Sequence, residues 1–232
     1  MRRATFPLVI GLILIAATPA TFGGWAVISV QDLPEYLEVG KPATLAFAIR
    51  QHGVELMPDR SPSVILGTER AGWFSRGNRT AAERGERAGL YEATITPADT
   101  GELLITIDAD FHGARTTLLP VRVVAAGAAA EPLPLPERGR HLFVAKGCVT
   151  CHVKADDQAM VGRSLNGGVA PNLTGRRFDA EWLTAKLADP ARNRVRFNDY
   201  VVMPNLGLAE KEIAALVRYL NERTEVATGS DR

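Results

Sequence analysis

Cysteine is almost absent from this chain: 232 residues contain two, Cys148 and Cys151. No disulfide framework braces distant parts of the chain, so each folded unit has to bury enough apolar surface on its own. An excess of one charge sign is missing as well. The 27 Lys and Arg nearly balance 26 Asp and Glu, for a formal net charge of +1, which gives no overall signal for nucleic acid or an anionic membrane. No nucleic-acid partner is expected.

Charge is also absent locally, with no charged residue between Ala4 and Val30. Arg2 and Arg3, the apolar run from Phe6 to Ala17 and the small residues at Thr18–Ala20 read as a signal peptide or membrane anchor over residues 1–22. Uncleaved, the charge-free stretch towards Trp25 is long enough to span a bilayer. Pro7, Pro19 and the Gly23-Gly24 pair interrupt such a helix and favour cleavage. Either way the bulk of the chain is expected outside the cytoplasm, in a periplasm or another exported location.

What is present changes period along the chain. Residues 25–124 alternate apolar and polar positions in short runs, as strands with one buried face do. Leu45, Phe47 and Ile49 form one face, and Tyr91, Ala93 and Ile95 another. Further runs cover Ser63–Gly67, Glu102–Ala109 and Thr116–Val124, with turn residues at Gly40-Lys41-Pro42, Pro97–Gly101 and His112-Gly113. The expected fold is an all-β, immunoglobulin-like sandwich, with residues 70–89 as a loop and Pro120 at an edge or bulge. Residues 125–136, rich in Ala and then Pro-Leu-Pro-Leu-Pro, read as a semi-rigid linker. Residues 137–225 read as all-α: helices over Glu137–Lys146, Ala180–Ala188 with Asp179 as N-cap, and about Ala209–Arg223, where Ile213, Leu216, Val217 and Leu220 make one apolar stripe.

Cys148-Val149-Thr150-Cys151-His152 is the C-x-x-C-H pattern of covalent haem attachment. Two thiols on one helical turn reach the two vinyl groups of one porphyrin edge, and the adjacent histidine lies under the iron. A thioredoxin-like pair needs a βαβ setting that this sequence does not offer, and a zinc site lacks its second Cys/His pair. A plain disulfide between the two cysteines is the remaining alternative.

From Pro136 to Arg223 the sequence resembles the class I cytochrome c family. Gly139 and Phe143, with Leu216 and Tyr219, resemble that family's packing of first against last helix. Pro171-Asn172-Leu173-Thr174-Gly175 resembles its P-N-L-x-G segment, and Met203-Pro204 its distal methionine. Gly147 is an added residue before the motif. The resemblance implies one haem c held by Cys148 and Cys151, a pocket that includes Pro171 and Leu173, and iron between His152 and Met203. The proline carbonyl would orient the histidine ring. Met160 is expected at a surface or pocket lining, His141 on the surface, and Trp182 in a helix core or beside the haem.

A histidine and a methionine leave no open position on the iron, which suits one-electron transfer to redox partner proteins and no catalysis by the chain alone. Arg192, Arg194 and Arg196 would form either a solvated edge or a docking face for an acidic partner. Three alternatives stand beside this reading. One is a fixed haem subunit of a membrane-associated oxidoreductase, docked by its β domain and betrayed by an exposed apolar patch. Another is a copper- or ligand-binding β module, with His52, Met57 and His112 as candidate ligands and an accessory haem. The last is a haem sensor or weak peroxidase with an open sixth position. The β region also bears a weak resemblance to small immunoglobulin-like modules of exported bacterial proteins, carried by Leu33-Pro34-Glu35, Lys41-Pro42 and Arg50-Gln51-His52-Gly53.

Overall fold

The computed structural model describes residues 24–67, 78–163, 169–191 and 202–222. Residues 1–22, read from the sequence as a signal peptide or membrane anchor, and Arg192, Arg194 and Arg196 lie outside the described residues.

The alternating region forms β1 (Ala26–Val30), β2 (Leu37–Glu38), β3 (Ala43–Gln51), β4 (Glu55–Leu56), β5 (Ser63–Gly67), β6 (Asn78–Ala81), β7 (Glu83–Arg84), β8 (Leu90–Ile95), β9 (Gly101–Asp108), β10 (Arg115–Thr117) and β11 (Val121–Val124). One sheet has the order β1-β3-β8-β7, with β4 paired to β3. The other has the order β2-β11-β9-β5-β6, with β10 paired to β9. Among the described residues all pairings are antiparallel except that of β2 with β11. The two apolar faces read from the sequence are one face: Leu45 lies opposite Ala93 and Phe47 opposite Tyr91, with stacked rings 6.0 Å apart at their centroids. Val64, Ile105 and Ile107 of the second sheet join the same buried cluster.

The expected loop over 70–89 is wrong where it is described, because β6 and β7 lie inside it. Both are short and largely exposed edge strands, so neither carries the alternation that marks a half-buried strand. The run Thr116–Val124 is likewise divided into β10 and β11, with Pro120 in the break, where its missing N–H interrupts no ladder.

Helices α1 (Leu135–Ala145), α2 (Cys148–Cys151), α3 (Ala180–Ala188) and α4 (Glu210–Asn221) follow. Helix α1 starts two residues earlier than expected, because Pro136 is tolerated in a first turn that has no N–H partners. Asp179 Oδ1 accepts the Trp182 amide at 2.8 Å and caps α3 as predicted. None of these helices is long and apolar enough to cross a membrane.

Helix α1 crosses α4 at Gly139. A Cβ there would collide with the Ala215 carbonyl oxygen and stand 2.6 Å from its carbon and 2.7 Å from Tyr219 Cβ, so the crossing requires glycine. Phe143 meets Tyr219 with ring centroids 5.7 Å apart, as the family resemblance implies. Two expectations fail in this part of the fold. Met160 is 3% exposed and belongs to the core, not to a surface or pocket lining. His141 is largely buried, since α1 has neighbours on two sides, α4 on one and β1 on another. Burial pulls its pKa below the ordinary histidine value.

The core does not stop at the linker. One cluster of buried apolar residues runs from the two sheets into α1, α3 and α4.

Candidate functional site

Helix α2 places Cys148 and Cys151 three residues apart on one face of a single turn, entered through Gly147 in the left-handed region at φ 78°. Both thiols are free, and burial pushes them up, Cys148 to about 12 and Cys151 to about 11. Both border the same cavity. His152 follows in extended backbone, at φ −101° and ψ 134°. Its Nδ1 lies 2.9 Å from the Pro171 carbonyl oxygen. That bond holds a proton on Nδ1 and leaves Nε2 as the lone-pair nitrogen. Burial also pulls the ring pKa below its ordinary value, against the opposing effect of Pro171, which favours the neutral form that metal ligation needs.

These residues line a largely apolar cavity of about 600 Å³. Its lining includes Phe143, Leu216 and Leu220, Leu173, Leu183 and Leu187, and Met203 with Pro204. Cys148, Cys151, His152, Pro171, Leu173 and Met203, scattered over more than 50 positions of sequence, are thus brought to one space. Trp182 also borders it, 40% exposed and stacked on Phe178, so the helix-core reading of that residue does not hold. An apolar slot of this size, with two thiols at one edge and an imidazole nitrogen and a thioether on its walls, fits a covalently attached porphyrin.

Several residues that support the cavity carry no signal in the sequence. Asp157 accepts from Arg140 through both carboxylate oxygens at 2.9 Å, and from the Tyr219 hydroxyl at 2.8 Å, tying α1, the segment after the motif and α4 together. Lys154, 1% exposed, pairs with Asp156 at 2.9 Å and lies 5.3 Å from the centre of the Tyr219 ring. Polar residues in a loop read as solvated, and only the tertiary structure shows these as buried. Burial raises the Asp157 pKa, but the bonds from Arg140 and Tyr219 outweigh it and hold the carboxyl below its ordinary value. A depressed folded-state pKa contributes stability above the unfolded value of about 3.9, lost as pH falls through the folded value. Asp157→Asn is expected to lower stability at neutral pH by roughly 2 kcal/mol, the Arg140 side being partly solvated. In urea titrations the difference from wild type should shrink below about pH 4, and a gap unchanged in acid would refute this account.

The candidate copper ligands sit elsewhere. His52 and His112 occupy turns at positive φ and pack on Trp25 and Phe111 respectively. Among the described residues, no group of three or more His, Cys, Asp or Glu is gathered to hold an ion.

The family model described as Cytochrome c matches residues 136–224. No curated protein matches the chain. Solved structures similar to it include domains 4 and 5 of the S-layer protein SbsC, at 17% identity over 44% of this chain and 54% of that one, with a TM-score of 0.31. Another is the C-terminal domain of ZirS, at 14% identity over 53% and 84%, with a TM-score of 0.32. A superoxide reductase (neelaredoxin) from Ignicoccus hospitalis shows 17% identity over 43% and 80%, with a TM-score of 0.26. At such scores these likenesses establish neither a fold family nor an activity.

Proposed function

With residues 136–224 a cytochrome c domain, we propose that the chain is an exported electron carrier with one covalent haem, bound between His152 and Met203, and with an immunoglobulin-like β module in front of it. The observation that carries this reading is the meeting of the two thiols, the His152 ring and the Met203 thioether in one apolar cavity. When bound, haem supplies a one-electron iron couple.

The chain's own residues do the rest. Cys148 and Cys151 would hold the porphyrin edge, and His152 would offer Nε2 because Pro171 holds the Nδ1 proton. Met203, which lines the same cavity, would offer its thioether to the iron, and its soft sulfur would favour the ferrous state. Phe143, Leu216 and Leu173 keep water out, which lowers the reorganisation needed when charge changes. Redox partner proteins, met outside the cytoplasm, are the expected donors and acceptors.

An exposed apolar group favours a second reading, a fixed subunit of a membrane-associated oxidoreductase. Val54, Leu56 and Val202 are 46%, 46% and 38% exposed. They border a cleft of about 310 Å³ between the β4 hairpin and the Met203 loop.

The test is to mature the chain in a host with c-haem assembly and extract it with acidified organic solvent. Colour that stays with the protein at one haem per chain, and a ferrous form that does not take up carbon monoxide, are the expected results. Extractable haem would overturn the covalent reading, and ready carbon monoxide binding would favour a sensor or peroxidase.

A further inference from the structure

Strand β1 is an edge strand, yet all five of its residues are buried. Edge strands ordinarily leave one row of backbone groups and one set of side chains to solvent. Here the missing cover is supplied by the end of α1 and the residues leading into the haem motif. Ser29 Oγ donates to the Lys146 carbonyl at 3.1 Å, and Lys146 Nζ donates back to the Gln31 carbonyl. The same ammonium, 3% exposed, pairs with Glu212 Oε1 at 2.8 Å. Further along, Arg138 donates to the Leu33 carbonyl at 2.5 Å, and Arg163 to the Thr117 carbonyl at 2.7 Å. Contacts from α1, from the Cys148 approach and from the segment after Met160 thus fix the β module in one position.

That position bears on the cavity. Val27 and Gly53 are among its lining residues, although both belong to the β module. Gly147 packs so closely under β1 that a Cβ on it would collide with Val27 Cγ1 and stand 2.7 Å from the Ile28 carbonyl oxygen. Val27 is 3% exposed, and Gly53 holds the turn that follows β3 at φ 76°. We infer that β1 and this turn form one wall of the haem crevice at its Cys148 edge, and that the β module thereby sets the haem's access to water and its reduction potential.

The inference rests on the haem reading above. Its physics is that the ferric state carries one more positive charge than the ferrous state. An apolar wall that excludes water therefore favours reduction, and an anion placed in that wall favours oxidation.

The test uses the full, haem-loaded chain and compares Val27→Asp with Val27→Asn, two side chains of nearly equal size that differ in charge. Midpoint potentials are read by spectroelectrochemistry. Val27→Asp is expected to raise the ratio of oxidised to reduced protein at a fixed ambient potential about tenfold over Val27→Asn, a shift of about 59 mV for a one-electron couple. Equal potentials for the two variants would overturn the inference. If neither folds, the pair Ser29→Ala with Arg138→Gln loosens the dock without touching the lining. It should lower the potential while the far-red charge-transfer band of the oxidised protein is retained, and an unchanged potential would then overturn the inference. A wild-type chain that takes up no covalent haem would instead refute the underlying reading.

Discussion

Replacing Met203 by alanine is expected to lower the reduction potential by a sizeable fraction of the roughly 0.8 V that axial ligands span in haem proteins. Met203 lies in irregular backbone between Val202 and the start of α4, with its side chain in the same cavity as His152. A thioether stabilises ferrous iron, and alanine has no atom to replace it. Water or nothing would occupy the sixth position. The weak far-red charge-transfer band of the oxidised protein should vanish, and carbon monoxide should bind to the reduced form. Met203 is only partly buried and sits in no helix or strand, so most of the folding stability should survive. Retention of the band, with an unchanged potential, would show that another group is the ligand.

Substituting Gly139 by leucine should be the most damaging single change to the helical half. The backbone of α4 occupies the space a side chain would need, and backbone cannot yield as the end of a flexible side chain can. Overpacked cores typically lose roughly 1–3 kcal/mol, and a clash against a carbonyl group places this variant at about 3 kcal/mol or more. Separating α1 from α4 also disturbs the cavity, which Phe143 and Leu216 line. Urea denaturation of the haem-loaded chain measures the loss. Ala128→Leu, in the exposed segment between the two halves, should stay within about 0.5 kcal/mol of wild type. Equal stability of the two variants would mean that the helices do not meet as described.

The parts of this site legible in the sequence are those whose chemistry is local. Cys148, Cys151 and His152 lie within five consecutive residues, so spacing and residue type single them out, whereas Pro171, Leu173 and Met203 are legible only through the resemblance to the cytochrome c family. Strand faces such as Leu45, Phe47 and Ile49 are legible for a similar reason, since a half-buried strand repeats every two residues. What escapes depends on partners distant in sequence. Asp157 draws on Arg140 and Tyr219, and Lys146 on Glu212 and Gln31. Val27 and Gly53 border the cavity from more than 90 positions upstream of the motif, and nothing in an alternating strand marks the residue that will face a cofactor. Met160 and His141 defy a reading from sequence because the burial of a loop or a helix flank is decided by what packs on it.

The Lys146 contacts have a consequence for the way the molecule comes apart. Domains joined by a bare linker melt independently, each with its own midpoint. Here a buried ammonium bonds to a backbone carbonyl of one half and a carboxylate of the other, and a single apolar cluster extends through both. Opening either half leaves that charge without a partner on one side, at a cost the other half bears. The chain should therefore lose structure in one cooperative step, so that a lesion deep in the β sheets, at Phe47 or Ile107, also weakens the hold on iron.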